Sequence, residues 1–497
     1  MSTRHDESDS RRWKALLFIS IAQLMVVLDG AVMNIALPSA QQALHFTDGS
    51  RQWVVTAYGL AFGGLLLVGG RVGDMVGRKR VFLIALAGFA VASAIGGLAV
   101  NAGMLLTARA LQGVFAALLA PAALSLISLT FTQPRERAKA FGVFAAVSIA
   151  GGAVGLIAGG LLTQYLNWRF AMFILVPIAI IGILGAVSTV QDNGERHRSR
   201  LDVPGVLLAS LGLVGLVYGF SAAESHGWSA PLTIGSFVVG VLLLTAFLVV
   251  QSRVPAPLLP LRVLTERNRA AAYLSVAFAV VSMFGMFLLL SYYFQQVKGW
   301  SPVMAGLAFM PMAVLQAFGA TQVGARLAHR IAPRPIMVTG YLVSAAGLVL
   351  LALLDADSSF LEIAVAEAVV GIGIGAAFMP AMSISSHGVA PTDVGVASAM
   401  ISSSQQVGGS IGVALLNTVA TSSAASYLAT RNGTAAPVHV RHQALMHGYS
   451  AAYWLATAFV VAAALVSAIL VNARAPQHLP SPAPEDAAVD AVPVPAH

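Results

Sequence analysis

Apolar runs of about twenty residues, long enough to cross the hydrocarbon of a bilayer as helices, recur from one end of the chain to the other. They fall at 14–38, 53–71, 81–99, 104–130, 139–163, 169–189, 203–222, 231–251, 268–295, 302–325, 335–354, 361–385, 395–423 and 449–472. Only a helix or a closed barrel satisfies its backbone polar groups inside lipid, and runs of this length fit helices. The sequence therefore predicts an all-α polytopic membrane protein with fourteen transmembrane helices. Of 497 residues, 58% are apolar and 10% charged, a balance that no soluble domain of this size carries.

Charge sets the orientation. An even number of spans puts both termini on one side of the membrane. With that side cytoplasmic, 22 of the 28 Lys and Arg residues fall in inside segments. Five fall outside (Arg51, Arg169, Lys298, Arg431 and Arg441), and Arg109 lies within a span. This asymmetry is the positive-inside pattern, and a span missed or added midway would erase it. It also assigns the net charge of +8 to topology and argues against a nucleic-acid partner. Cysteine is absent, so there is no disulfide framework, thiolate metal site or cysteine nucleophile. The first run follows Arg11, Arg12 and Lys14 as a signal peptide would, but its length, its Asp29 and Asn34, and the spans behind it mark a retained helix.

The spacing of the spans divides the chain. Six precede residue 190, two follow the polar segment Gln191–Leu201, and six more follow the Pro-rich, basic stretch Arg253–Arg269. The expected layout is an N-terminal six-helix bundle (1–190), a two-helix insert with basic cytoplasmic linkers (191–266), a C-terminal six-helix bundle (267–472) and a disordered tail (473–497). The two halves echo each other. Gly324, Leu327, Arg330, Pro333 and Arg334 follow the second span of the last bundle, as Gly70, Asp74, Gly77 and Arg78 follow the second span of the first. Internal repeats of this kind build many secondary transporters.

A short cytoplasmic loop is expected at Gly70–Arg80, which packs five charges into eleven positions between two apolar runs. Three glycines (70, 73 and 77) predict a tight backbone path, and one acid, Asp74, stands among Arg71, Arg78, Lys79 and Arg80. It reads either as a topogenic charge patch or as a charged hinge that bridges helix ends at the cytoplasmic face.

Charge within hydrocarbon costs roughly 2.5–3.5 kcal/mol per group, so intramembrane ions are candidates for function. Asp29 lies midway along span 1, where a carboxyl can load and release a proton as access alternates, or can stay neutral and fix packing. Arg109 in span 4 cannot deprotonate and needs a carboxylate, water or carbonyls; Asp29 is one candidate partner, and snorkelling to the outer face is the alternative. Glu367 in span 12 could meet a cationic substrate or hold a second proton. Glu362 reads as structural, and Glu224 and His226 as outer loop. Gly151, Gly155 and Gly159 recur every four residues in span 5 and bare one helix face for close packing. Gly408 and Gly412 repeat the pattern in span 13. Pro121, Pro177, Pro311 and Pro380 predict kinks. Gln23, Asn34, Gln112, Tyr292, Gln316, Gln405 and Glu367 are the candidates for lining a substrate cavity. His439, His442 and His447 form the one histidine group and read as a solvated loop, so no metal site is expected.

These residues resemble the motifs of the fourteen-helix drug:proton antiporter branch of the major facilitator superfamily, over about residues 14–472. Gly70-x-Val72-x-Asp74-x-x-Gly77-Arg78-Lys79 resembles its signature segment between helices 2 and 3. Arg109-x-x-Gln112-Gly113 resembles the helix 4 motif, the Gly151–Gly160 run the exporter motif, Leu28–Pro38 the helix 1 motif, and Trp168-Arg169 the pair before helix 6. Three positions depart from the pattern: Leu156 stands where the exporter motif usually has Pro, Ala31 where helix 1 usually has Thr, and Leu175 where Asn is usual.

The resemblance implies the major facilitator fold, arranged 6+2+6, and proton-coupled antiport of amphipathic small molecules or drugs out across a bacterial cytoplasmic membrane. An exporter or importer of one specific metabolite, such as a self-made antibiotic, is the alternative on the same fold. Asp29 and Arg109 would couple protons, and Gly70, Asp74, Gly77, Arg78 and Lys79 would form a gating segment. The expected partners are substrate, protons and lipid, with the chain a monomer and not an enzyme. The proton gradient supplies the drive, and no cofactor is expected, since the chain has no nucleotide-binding motif.

Overall fold

A computed structural model describes residues 2–131, 133–190, 202–254, 257–328, 330–386, 394–430 and 438–472; a few further side chains, those of Asp74 and Glu224 among them, lie outside the described residues. Among the described residues the chain is helical throughout, with no strand. The first half runs α1 (Ser2–Leu44), α2 (Asp48–Val76), α3 (Arg78–Gly97), α4 (Ala102–Thr130), α5 (Pro134–Tyr165), α6 (Phe170–Phe173) and α7 (Leu175–Thr189). Then come α8 (Val203–His226), α9 (Pro231–Gln251) and the short α10 (Leu261–Thr265). The second half holds α11 (Arg267–Tyr292), α12 (Pro302–Ala308), α13 (Met310–Phe318), α14 (Arg326–Ala328), α15 (Pro333–Ala352), α16 (Phe360–Ser386), α17 (Val394–Ala429) and α18 (Val438–Leu470). Wide π-type turns extend α11 through Tyr293–Val297 and α13 through Gly319–Ala325.

Thirteen of the described helices, with α6 and α7 read as one and α12 and α13 as another, are long and apolar enough to cross a membrane. The run at 53–71 lies on α2 and is not one of these thirteen. Polar residues set the ends. Thr47, Asn101, Asp202, Glu266 and Ser301 each cap a helix by accepting hydrogen bonds from backbone amides of the first turn. Proline opens α5, α8, α9, α12, α13 and α15, where its missing N–H costs nothing. Glu362 takes the Ser359 amide at 2.7 Å while Ser359 Oγ takes the Glu362 amide at 3.3 Å, a reciprocal cap that gives Glu362 the structural role expected of it.

Packing repeats between the halves. The glycine face of α5 lies on α1: Cβ atoms at Gly151, Gly155 and Gly159 would meet Leu24, Ala31 and Val32 at 2.9, 2.7 and 2.9 Å. The glycines of α17 lie in the same way on α11, Gly408 against Ala277 and Gly412 against Val281. The two most extensive contacts between the halves run from α2 along α17 and from α5 to α12, with smaller ones from α1 to α11 and α12 and from α5 to α13. The pair α8 and α9 packs on itself and touches α2 and α17. Only 22% and 17% of their membrane-spanning windows are buried, and the exposed face carries Leu207, Leu211, Val238, Leu242 and Val249, as a helix pair facing lipid requires.

Three expectations change. Gly70–Arg80 is not a loop: α2 continues to Val76, α3 begins at Arg78, and Gly77 alone (φ 107°) makes the corner. No helix breaker precedes Gly77, so the helix carries on past the apolar run, and a side chain at that φ would be strained. The prolines divide into two kinds. Pro121 and Pro380 lie inside continuous helices, whereas Pro177 and Pro311 sit in the first turns of α7 and α13, just after breaks at Ile174 and Phe309. His439, His442 and His447 belong to α18, not to a loop, and among the described residues no trio of His, Asp or Glu is grouped to hold a metal.

Candidate functional site

The intramembrane acid and arginine of the first half meet. Asp29 comes from the middle of α1 and Arg109 from α4, and Arg109 Nη1 lies 2.7 Å from Asp29 Oδ2. The same Nη1 donates to Gln112 Oε1 at 2.8 Å, and Arg109 Nε donates to the Val54 carbonyl of α2 at 2.9 Å. Gln112 Nε2 donates to Asp29 Oδ1 at 3.2 Å and to Ser93 Oγ of α3 at 2.8 Å, and Ser93 in turn donates to the Phe89 carbonyl. The Tyr58 ring of α2 lies under the guanidinium, 4.5 Å from its carbon. Four helices thus contribute to one cluster with Asp29, Arg109, Gln112 and Ser93 at most 1% exposed.

Local sequence explains the assembly. The i,i+3 spacing of Arg109 and Gln112 puts both side chains on one face of α4. Gly113, beside them, lets α4 close on α2: a Cβ there would sit 2.8 Å from Ala61 and press on the Tyr58 carbonyl. A buried ion pair stands only if its remaining donors and acceptors are satisfied. Gln112, Ser93 and the Val54 carbonyl do this. Removing the charge of Asp29 would leave a buried guanidinium without its anion.

Sequence reasoning found Asp29, Arg109 and Gln112 but missed Ser93 and the Val54 carbonyl. A serine in an apolar helix gives no signal, and a backbone carbonyl gives none at all. Tyr58 carried the one usable signal, an aromatic one turn from Val54.

The charged segment makes different contacts. Lys79 Nζ donates to the Val187 carbonyl at 2.9 Å and Arg11 to the Ser188 carbonyl at 3.1 Å, so two cations cap the C-terminal end of α7. Arg71 donates to the Pro257 carbonyl at 2.6 Å, tying α2 to the strip between α9 and α10. Gly70 faces Pro121 and Gly73 faces Arg78. The bridging role expected of Asp74 falls on a side chain outside the described residues.

The expected cavity residues lie in several places. Gln112 is spent in the ion-pair cluster. Tyr292 is fully buried at the junction of the halves, away from the Gly70–Arg80 corner. Its hydroxyl donates to Gln41 at 2.5 Å and its ring lies 3.9 Å from the guanidinium carbon of Arg51. Arg51 Nε donates to Asn417 at 2.8 Å, and Ser291 and Gln295 donate to the carbonyls of Asn34 and Ile35. This polar seam closes one end between α1 and α2 on one side and α11 and α17 on the other. Arg51, read as an outer-loop residue, is only 2% exposed within it. Glu367 is wholly enclosed in the second half. Gln23, Asn34, Gln316 and Gln405 are half-buried on α1, α13 and α17.

The family model of the Major Facilitator Superfamily matches residues 19–413. The chain is 48% identical over 469 residues to the puromycin resistance protein pur8 of Streptomyces alboniger, covering 94% of this chain and 92% of that one. It is 37% identical over 428 residues to the cephamycin export protein CmcT of Amycolatopsis lactamdurans, covering 85% and 88%. It is 33% identical over 407 residues to the tetracenomycin C resistance and export protein of Streptomyces glaucescens, covering 82% and 75%. In fold it resembles a bacterial homologue of the lysosomal transporter Spinster in an inward-facing conformation (TM-score 0.63, 16% identity, 92% and 97% covered). It also resembles the peptide transporter POT (TM-score 0.65, 14% identity, 92% and 96% covered). With its helices, its shared fold and these relatives, the chain is a multi-pass membrane transporter and belongs to the major facilitator superfamily.

Proposed function

We propose that the protein exports amphipathic antibiotic-like molecules across the bacterial cytoplasmic membrane in exchange for protons, by alternating access. The observation that carries this reading is the buried Asp29–Arg109 pair, held by four helices. A proton on Asp29 cancels the attraction between α1 and α4 and leaves Arg109 to Gln112 and the Val54 carbonyl. The four helices then settle differently. Coupling requires that the two conformations differ in proton affinity, and an ion pair made in one and loosened in the other supplies that difference.

Two six-helix bundles, 1–190 and 267–472, rock about this level with the two-helix insert riding at the side. The seam of Gln41, Tyr292, Arg51 and Asn417 is what parts when the far end opens. The corner at Gly77 acts as a latch on the cytoplasmic face: Asp74, Arg78 and Lys79 hold the bundles in the outward-open state and do not touch substrate. The protein works as a monomer, and the proton gradient drives it without a cofactor.

The relatives named for puromycin, cephamycin and tetracenomycin C support export of antibiotics and make puromycin the first compound to try. The test is efflux of these three and of a dye panel from cells with and without an imposed proton gradient, wild type against Asp29→Asn. Gradient-driven efflux that the variant loses supports the proposal. Uphill pumping by the variant with unchanged proton dependence removes Asp29 from the coupling role. The second reading, one dedicated substrate, is favoured by relatives each named for a single compound, and movement of one compound alone would select it.

A further inference from the structure

The second half buries an acid of its own. Glu367 of α16 is 0% exposed, and among the described residues neither carboxyl oxygen has a hydrogen-bond partner. The helices beside it pack closely. One turn along, α16 presses Gly371 onto the Met312 carbonyl of α13, and on its other face Ala366 and Val370 meet Gly347 of α15. The titratable groups around it are phenols. Tyr453 and Tyr449 come from α18 and Tyr293 from the wide turn after α11; Tyr453 is within electrostatic reach of the other two and of Glu367. From α15 comes Tyr341, about two turns away along the helix pair, and α13 has no titratable residue. Among the described residues no Lys or Arg pairs with the Glu367 carboxyl; Lys298 lies over the Tyr293 ring at 5.8 Å, and Asp355, Asp357 and Glu362 are within electrostatic reach of Tyr293. The Tyr293 hydroxyl reaches the Asp355 carbonyl at 2.9 Å, in the exposed turn between α15 and α16. The Tyr453 hydroxyl, like the carboxyl, is buried without a hydrogen-bond partner among the described residues, and Tyr293 reaches toward the end of the molecule opposite Gly77.

We propose that Glu367 is a second proton-loading carboxyl, which takes up a proton by way of Tyr453 and Tyr293 and gives it up in the other conformation. A carboxylate cannot persist in such a place without a cation or donors. A proton is the one ligand that neutralises it without needing space. The inference rests on the proton-coupled reading above and adds a second proton to it.

The decisive measurement needs neither substrate nor gradient. Infrared spectra of the full chain in lipid are recorded across pH, with and without 13C-glutamate. The expected result is a protonated-carboxyl band that shifts on 13C-glutamate labelling, disappears at alkaline pH, survives Asp29→Asn and is missing in Glu367→Gln. Glu367→Asp keeps a carboxyl and serves if Glu367→Gln folds poorly: its band should persist but no longer shift with 13C-glutamate, and a band that still shifts overturns the assignment. Absence of such a band, or a band that no pH removes, overturns the proposal. In transport, Glu367→Gln should lower the limiting concentration ratio of a moved compound about tenfold per unit of pH gradient, the worth of one proton. An unchanged ratio also overturns it. Because the spectra involve no transport, a failure at Glu367 is separate from a failure of Asp29 in the efflux assay.

Discussion

The two halves share a packing scheme and differ in their buried charge. Glycines of α5 lie on α1 as those of α17 lie on α11, and the wide turn at Gly324 presses on α16 as Gly69 of α2 presses on α4. Yet Asp29 has an arginine, a glutamine and a serine arranged around it, while among the described residues the Glu367 carboxyl has no hydrogen-bond partner. Backbone packing can be kept by small residues at a few positions, so it survives duplication easily. An ion pair needs several specific side chains at once and survives only where each is retained. The lesson is that an acid's chemistry follows from its partners, not from its depth.

The sharpest way to break the comparison is to make Asp29 resemble Glu367. Arg109→Leu should strand the carboxylate and cost roughly 3–5 kcal/mol, seen as a lower unfolding temperature in detergent. Adding Asp29→Asn to that variant should recover part of the loss. Full additivity of the two changes would mean that the pair has no coupling.

Asp29→Asn alone keeps the size of the side chain and its contact with Gln112, and Arg109, though it loses its anion, keeps its bonds to Gln112 and the Val54 carbonyl. The variant should therefore fold, while proton-driven efflux falls at least about tenfold, the weight of roughly 1.4 kcal/mol in a coupled step. Next in size are Gly155→Ala and Gly412→Ala, each expected to cost about 1–3 kcal/mol by forcing α5 from α1 or α17 from α11. Similar shifts in thermal unfolding support equivalent roles, and a loss in one half only would break the repeat.

Asp74→Asn should slow transport several-fold and leave substrate affinity within about twofold, less than 0.5 kcal/mol; a large loss of affinity would count against a latch. The smallest effect is at Glu266, which caps α11. Its partial burial favours the neutral acid, but bonds from the Arg269 and Asn268 amides, the Asn268 side chain and the Arg269 charge outweigh this and hold the carboxyl below its ordinary value. Its contribution is complete above about pH 4.5 and is lost as pH falls through the lowered value. Glu266→Ala should cost about 0.5–1 kcal/mol near neutral pH and flatten the acid limb of a stability profile.

Much of the site was legible in the sequence because charge inside an apolar run is conspicuous. Asp29 and Arg109 stand out for that reason, and the Arg109-x-x-Gln112 spacing points both side chains one way. Ser93 was not legible, since a lone serine in a helix is common and its value lies in the glutamine 19 residues further on. Arg51 was visible as a residue but read as outer loop, and nothing in the sequence joined it to Tyr292. Their seam exists only because α11 and α17 come to lie against α1 and α2.

The sequence by itself determined that the chain is helical and membrane-embedded and where thirteen of its apolar spans fall. Those properties rest on local polarity and period, which each segment carries alone. Only the tertiary structure decided that Arg109 belongs to Asp29, that Glu367 has no such partner, and that Gly77 is a single-residue corner between two long helices. Pairing across 80 positions depends on which helix faces meet, and that is set by glycine contacts distributed over the whole bundle.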